Sequence, residues 1–216
     1  AARARTVAAA QQHGFSFAAP PRGLFGWVDT GCDTERLAEA LLDDGQRDEG
    51  IAELEEQVKA ITSGQPFTPK VYPRQIAFNV IPQVDVFTDS GYTKEELKML
   101  HEGRKIMDLP ELKVSCTCVR VPVYRSHSVS ITASFKRPVD VQAARAAFAG
   151  KPGIKVVDDP ANKLFPVPLD TTGKDDCLVG RIRKNIVCDN ALDLWVVGDQ
   201  VRKGAALNAV QIAEIL

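Results

Sequence analysis

Arg120 and His127 stand seven residues apart in a run that reads Cys118-Val119-Arg120-Val121-Pro122-Val123-Tyr124-Arg125-Ser126-His127-Ser128. A guanidinium presents a planar fork that matches a carboxylate, and an imidazole exchanges a proton near neutral pH. The stretches on either side, 114–121 and 127–135, read as strands, with Pro122 at the bend. A strand pair of this kind can aim both side chains into one cleft, which suits an enzyme handling a small anionic substrate. Taken singly, neither residue is diagnostic. A strand-end Arg is commonly a surface charge, and a lone His is commonly a hydrogen-bonded structural residue. Glu102 and Lys105 add a second pair, three apart on one helical face. Their ordinary reading is a solvated ion pair worth a few tenths of a kcal/mol, on the order of other exposed pairs. Joined to Arg120 and His127, they make a set of four charges: Glu102 for an ammonium, Lys105 for a phosphate, Arg120 for a carboxylate and His127 for a proton. An amino acid activated as an acyl phosphate would engage all four.

The elements that must position these residues are legible in part. Ile51, Leu54, Val58 and Ile61 recur at helical spacing, and Ser63-Gly64 ends that helix. Residues 76–81 form a short apolar run that predicts a buried strand stopped by Pro82. Thr93-Lys94-Glu95-Glu96 is a capping box, with Glu96 three past the cap, and it opens the helix that carries Glu102 and Lys105. The spacing further predicts a helix over 139–148, a strand over 154–157, a strand pair over 177–183 and 192–197 joined across Asp189-Asn190, and a last helix after the turn Arg202-Lys203-Gly204. Strands mixed with amphipathic helices, without a strict βαβ rhythm, predict an α+β fold: a mixed β-sheet with helices packed mainly on one face.

Composition removes several function classes. The 27 basic and 28 acidic residues among 216 leave a formal charge of −1 and no block of one sign. Binding to nucleic acid or to a membrane surface through bulk charge is therefore not expected. No uncharged apolar run approaches the ~18 residues of a membrane span. The five cysteines, Cys32, Cys116, Cys118, Cys177 and Cys188, are odd in number and irregular in spacing, which points to a reducing compartment. Cys116 and Cys118 share a face if the segment is a strand, but no His or second Cys pair lies at zinc spacing, so no metal site is expected. Residues 1–47 read differently from 48–216. They are rich in Ala and Arg, break at Pro20-Pro21, and predict one helix over 34–42 with Asp33 as its cap.

Four separated runs resemble the C-terminal, substrate-binding and dimerisation portion of the aspartate-semialdehyde dehydrogenase family. They are the runs 75–83, 91–96, 118–123 and 203–214, which occur in order along residues 48–216. The run 165–170, followed by Val179-Gly180-Arg181-Ile182-Arg183, is similar to forms from photosynthetic organisms. The resemblance implies a fold like the C-terminal domain of glyceraldehyde-3-phosphate dehydrogenase. It also implies NADPH-dependent reduction of β-aspartyl phosphate to aspartate semialdehyde with release of phosphate, a step in the biosynthesis of lysine, threonine and methionine. At the matching positions it implies that Arg120 binds the substrate α-carboxylate, Glu102 the amino group, Lys105 the phosphate, and that His127 is the general acid and base. Gly204 and Ala205 would begin a helix packed toward the cofactor domain, an anion-facing element. The implied cofactor, NADP, binds through a half that this chain does not carry. The implied partners are a small-molecule substrate and further copies of the chain, as a dimer or tetramer, in the cytoplasm or plastid stroma.

Two features depart from the family pattern. No glycine-rich dinucleotide turn follows a strand, and no cysteine sits in the context of the family's nucleophile; Cys32, in Gly31-Cys32-Asp33, does not resemble it. The expectation is a chain inactive by itself. The alternatives are a non-catalytic dimerisation or interaction relative and an N-acetylglutamyl-phosphate reductase-like protein. The substrate of the latter lacks a free ammonium, so Glu102 argues against it.

Overall fold

The computed structural model describes residues 45–215, which fall into two compact units, Gly45–Tyr124 and the residues from Arg125 onward. The helix expected over 34–42 and Cys32 lie outside the described residues.

The first unit has two helices and no multi-stranded sheet. Helix α1 spans Gly45–Thr62 and stops at Gly64, whose φ is +68°. Its buried face is partly polar: Leu54 is joined there by Glu53 and Gln57, which are 4% and 0% exposed. The reason lies in the chain that crosses it. Gln57 Oε1 accepts the backbone N–H groups of Ile76 (2.8 Å) and Ala77 (2.9 Å). Glu53 accepts those of Lys70 (2.9 Å), Val71 and Tyr72. The strand expected over 76–81 therefore does not form. Its first two donors are taken by a side chain, Phe78 turns to a φ of +59°, and only Ile81 makes a bridge, to Arg120. Ile76, Ala77, Ile81 and Leu54 make the small core, with Val58 and Tyr72 against it. Gly50 lets Tyr72 approach α1, since a Cβ there would lie 2.7 Å from the phenol oxygen.

Helix α2, Lys94–Ile106, begins with the expected capping box: Thr93 N–H donates to Glu96 Oε2 (2.8 Å), and Glu96 N–H to Thr93 Oγ1 (3.3 Å). The strand expected over 114–121 is instead extended chain. Its N–H at Cys118 is taken by Glu96 Oε1 (2.9 Å), and its only bridge is the Ile81–Arg120 pair.

The second unit is built on a four-stranded mixed sheet in the order β1-β4-β3-β2, where β1 is His127–Ser134, β2 Ile154–Val156, β3 Cys177–Lys184 and β4 Ala191–Gly198. The β1–β4 and β4–β3 pairs are antiparallel, and β3–β2 is parallel. This is the expected α+β class. Helix α3, Val141–Phe148, is capped by Asp140 and packs on β2 and β3. The short helix α4, Pro168–Thr171, packs on β4. Val179, Ile182, Leu192 and Val197 are buried in the sheet, and each contributes about 1.5–3 kcal/mol of apolar burial.

A bulge interrupts β3 between Gly180 and Arg183. Arg181 sits there at a φ of +53°, and the Asp158 carboxylate accepts the N–H groups of Arg181 (2.7 Å) and Ile182 (3.1 Å) while pairing with Arg145 (2.5 Å). Gly180 has no room for a side chain: a Cβ would meet the Val157 oxygen at 2.2 Å and Pro166 Cδ at 2.6 Å. The last helix, α5 (Leu207–Ile215), is preceded by one π-helical turn, Arg202–Ala206, where a simple turn was expected. Asp199 starts the winding early. Its carboxylate accepts from Val201 and Arg202, and its carbonyl from Gly204.

Candidate functional site

Three of the four expected residues belong to the first unit and one to the second. Glu102 and Lys105 project from the last two turns of α2, and both are exposed. They do not close the ion pair that their spacing allows; the pair formed on this helix is Lys98–Glu95, at 2.9 Å. Among the described residues neither Glu102 nor Lys105 closes a salt bridge, although Lys98 lies near enough to feel the Glu102 charge.

Arg120 is positioned twice over. Its own N–H and C=O are bonded to Ile81 (2.8 and 3.0 Å), and two residues earlier Cys118 N–H is held by Glu96. Its guanidinium lies over the Tyr72 ring, 5.8 Å from the centroid. Such stacking fixes the plane of the fork while leaving its edge for a carboxylate. Burial pushes the Tyr72 hydroxyl up from its ordinary value, against the Arg120 charge, which favours the phenolate. Tyr72 therefore stays a neutral face for the cation.

The carboxylates behind this frame are ionised in spite of their burial. Burial opposes the charge of Glu53, but the N–H groups of Val71, Lys70 and Tyr72 and the Gln57 amide outweigh it and hold its carboxyl below the ordinary range. Glu96 is lowered by the N–H groups of Thr93 and Cys118. Tyr72, Glu53, Gln57 and the second bond of Glu96 were not anticipated. The i,i+4 spacing of Glu53 and Gln57 on an otherwise apolar face was the available signal.

His127 begins β1, opposite Gly198, and is exposed. The residues before it are anchored by the loop after β4. Ser126 N–H donates to Gln200 Oε1 (2.7 Å), and Arg125 Nε lies 2.7 Å from the fully buried Asp199 carboxylate. For Asp199 too, burial raises the carboxyl, but Arg125 and the N–H groups of Gly173, Val201 and Arg202 hold it low. Asp199 and Gln200 tie down the chain before β1, and the strand pattern did not reveal them. Gly204 and Ala205, expected as the anion-facing start of the last helix, lie inside the π-helical turn Arg202–Ala206, where Gly204 N–H donates to the Asp199 carbonyl (3.1 Å). Lys203 Nζ is turned to Asn208 (3.1 Å) and Gln211 (2.8 Å).

The thiols of Cys118 and Cys177 are not activated. Burial, reinforced by neighbouring Cys116, pushes Cys118 up to about 11, and burial also raises Cys177. A nucleophilic cysteine needs the opposite shift. No group of three or more His, Cys, Asp or Glu among the described residues is arranged to hold a metal ion, and no described helix is long and apolar enough to cross a membrane.

Comparison with known proteins gives this geometry a context. The family profile described as "Semialdehyde dehydrogenase, dimerisation domain" matches residues 45–203, across both units. The aspartate-semialdehyde dehydrogenase of Aquifex aeolicus is 49% identical over 168 residues, which are 77% of this chain and 49% of that protein. The crystal structure of aspartate semialdehyde dehydrogenase II from Vibrio cholerae matches with a TM-score of 0.75 at 44% identity, covering 78% of this chain and 50% of that one. The enzyme of Candida albicans, solved with NADP, matches with a TM-score of 0.54 at 25% identity, over 77% and 55% of the two chains. The chain thus spans about half the length of the relatives it matches.

Proposed function

The chain belongs to the semialdehyde dehydrogenase family through its dimerisation domain, and from that premise we propose that it supplies the substrate-binding and pairing half of an NADP-dependent acyl-phosphate reductase. The proposed substrate is β-aspartyl phosphate and the products are aspartate semialdehyde and phosphate, a step of amino-acid biosynthesis. One observation carries the reading. Beside 49% identity to the Aquifex relative, the two exposed charges Glu102 and Lys105 of α2 and the ring-backed guanidinium of Arg120 offer separate partners for an ammonium, a phosphate and a carboxylate.

In this reading Arg120 grips the α-carboxylate through its fork and Glu102 takes the α-ammonium. Lys105 meets the phosphate as a point charge. His127 receives the proton of the attacking thiol and returns a proton to the departing group, serving as base and then acid. The thiol is not assigned to Cys118 or Cys177, whose raised values keep them protonated. When bound, the dinucleotide supplies the hydride. The described residues do not fit it: β4 runs into its helical turn without the paired glycines of a pyrophosphate loop, and that turn's early donors are satisfied by Asp199. No step here is routed through it, and its site is assigned to the half of the relatives' length that this chain does not match.

The four described cysteines are free thiols, which suits cytoplasm or plastid stroma as the compartment. The family's dimerisation role supports pairing of two copies. The test is a chimera in which residues 45–216 replace the matching half of the Aquifex relative. It is expected to turn over aspartate semialdehyde, and His127→Asn is expected to lower kcat about 10²–10⁴-fold. A folded chimera that binds NADP yet is silent, or one indifferent to His127→Asn, would sink the assignment and favour a non-catalytic interaction role.

A further inference from the structure

Beyond the substrate residues, the second unit carries two apolar features that its own fold leaves unmatched. The first is the tip of the β3–β4 hairpin. Ile186 and Val187 are 97% and 85% exposed, the most exposed large aliphatic pair among the described residues. The tip is preformed. Asn185 Oδ1 accepts the N–H groups of Val187 and Cys188 (2.8 Å each), Asn185 N–H donates to the Ala191 carbonyl (3.0 Å), and its amide donates to Asp193 (2.9 Å). The chain thus holds two branched side chains out in water and follows them with the exposed carboxylate of Asp189. A rigid apolar projection of this sort marks a contact.

The second feature is a groove of about 300 Å³ on the sheet, floored by Phe165, Val167, Pro168 and Trp195 and edged by Arg181 and Arg183. It is a built groove. Trp195 Nε1 donates to the Pro166 carbonyl (3.0 Å), and Gly180 lets Pro166 lie against β3. The bulge pinned by Asp158 sets Arg181 at the edge, where its guanidinium has no ion pair among the described residues. Arg183 is tied back to the Arg181 carbonyl (2.7 Å) and, more loosely, to Asp193 (3.8 Å).

The tip does not reach the groove of its own chain. The groove lies level with Ser130 and Trp195, which face each other in register, whereas the hairpin emerges beyond Ser134 and Ala191. The lining residues nearest the tip, Arg183 and Leu194, lie three residues of strand, about 10 Å, from Ile186 and Ala191, and the tip is held in its own turn by the bonds of Asn185. A second copy related by a two-fold axis meets the requirement, because an isologous contact forms twice and pairs each tip with the other copy's groove.

We propose that residues 186–189 of one copy seat in the groove of a second copy, with Ile186 and Val187 covering the apolar floor and Asp189 pairing with Arg181 at the edge. This rests on the pairing of copies proposed above and names the contact that makes it. Charge complementarity selects this occupant: the tip offers two apolar side chains and, past Cys188, an acidic one, and the groove offers an apolar floor and a guanidinium without an ion pair among the described residues.

The test uses the full 216-residue chain in sedimentation and light scattering, with circular dichroism as the check on folding. Ile186→Asp, at a side chain that touches nothing in its own copy, is expected to raise the dimer dissociation constant about a hundredfold or more. Arg181→Glu is expected to weaken it, and Asp189→Arg in the same chain to restore it in part. Ser130→Cys is expected to give a disulfide-linked dimer with native Cys188 under mild oxidation, and Cys188→Ser to abolish that band. A dimeric parent whose state is unchanged by Ile186→Asp overturns this contact and leaves the pairing reading standing. A parent that stays monomeric at high concentration overturns both.

Discussion

The unit Gly45–Tyr124 and the unit from Arg125 onward are each held together by different means. In the second unit the backbone donors go largely into a ladder of four strands. In the first, three side chains do the work that a neighbouring strand would do: Glu53 and Gln57 satisfy the crossing chain at 70–77, and Glu96 satisfies Cys118. A ladder spreads its stability over many bonds, whereas a side-chain frame concentrates it in a few. Glu102, Lys105 and Arg120, the charges proposed to bind substrate, stand on the concentrated frame, and His127 stands at the start of the ladder.

Substitutions at the few concentrated points of each unit sharpen the contrast. The largest effect is expected at Asp199, which gathers one guanidinium and three backbone donors in the second unit. Asp199→Ala strands Arg125 and three backbone donors and should cost about 3–5 kcal/mol in denaturant unfolding. Gln57→Leu comes next. It leaves the N–H groups of Ile76 and Ala77 without partners, and a loss of about 2–4 kcal/mol should appear as lost hydrogen-exchange protection at those two amides. Thr93→Ala removes one half of the capping box and should cost about 1 kcal/mol. Equal losses at Gln57 and at an arbitrary exposed ladder position would erase the distinction drawn here.

Acid provides the mildest probe. The folded values of Glu53 and Glu96 lie below the ordinary carboxylate value of about 4.3. Their contribution is therefore complete above that value and is lost as pH falls through the lowered ones. As pH falls below that ordinary value, the amides of Lys70, Val71 and Cys118 should lose protection before those of the β3–β4 ladder. The reverse order would contradict the frame.

The same contrast decides what could be read from residue order alone. The period-two runs of 127–135, 177–183 and 192–197 became strands because each finds a strand in register beside it: β1 lies against β4, β4 between β1 and β3, and β3 between β4 and β2. The capping box at Thr93 was local chemistry and formed as written. The strands expected at 76–81 and 114–121 did not form, because their donors are taken by Gln57 and Glu96 from distant turns of helix. Periodicity carries no trace of such capture. Likewise, Arg120 was recognisable by residue type, but the Tyr72 ring beneath it was not: an aromatic in an extended, proline-punctuated segment has no pattern to announce it. The turn at 202–206 became π-helical because Asp199 collects its donors, again a side-chain act.

The reading of the binding charges reduces to whether Arg120 grips the substrate carboxylate with its fork. The deciding measurement is the steady-state KM for L-aspartate semialdehyde of the chimera that carries Arg120→Lys. A rise of about 10–100-fold is expected, from the loss of a charge-assisted, two-point contact that an ammonium does not reproduce. A KM unchanged from that of the parent chimera would show that the guanidinium over Tyr72 serves the fold and not the substrate.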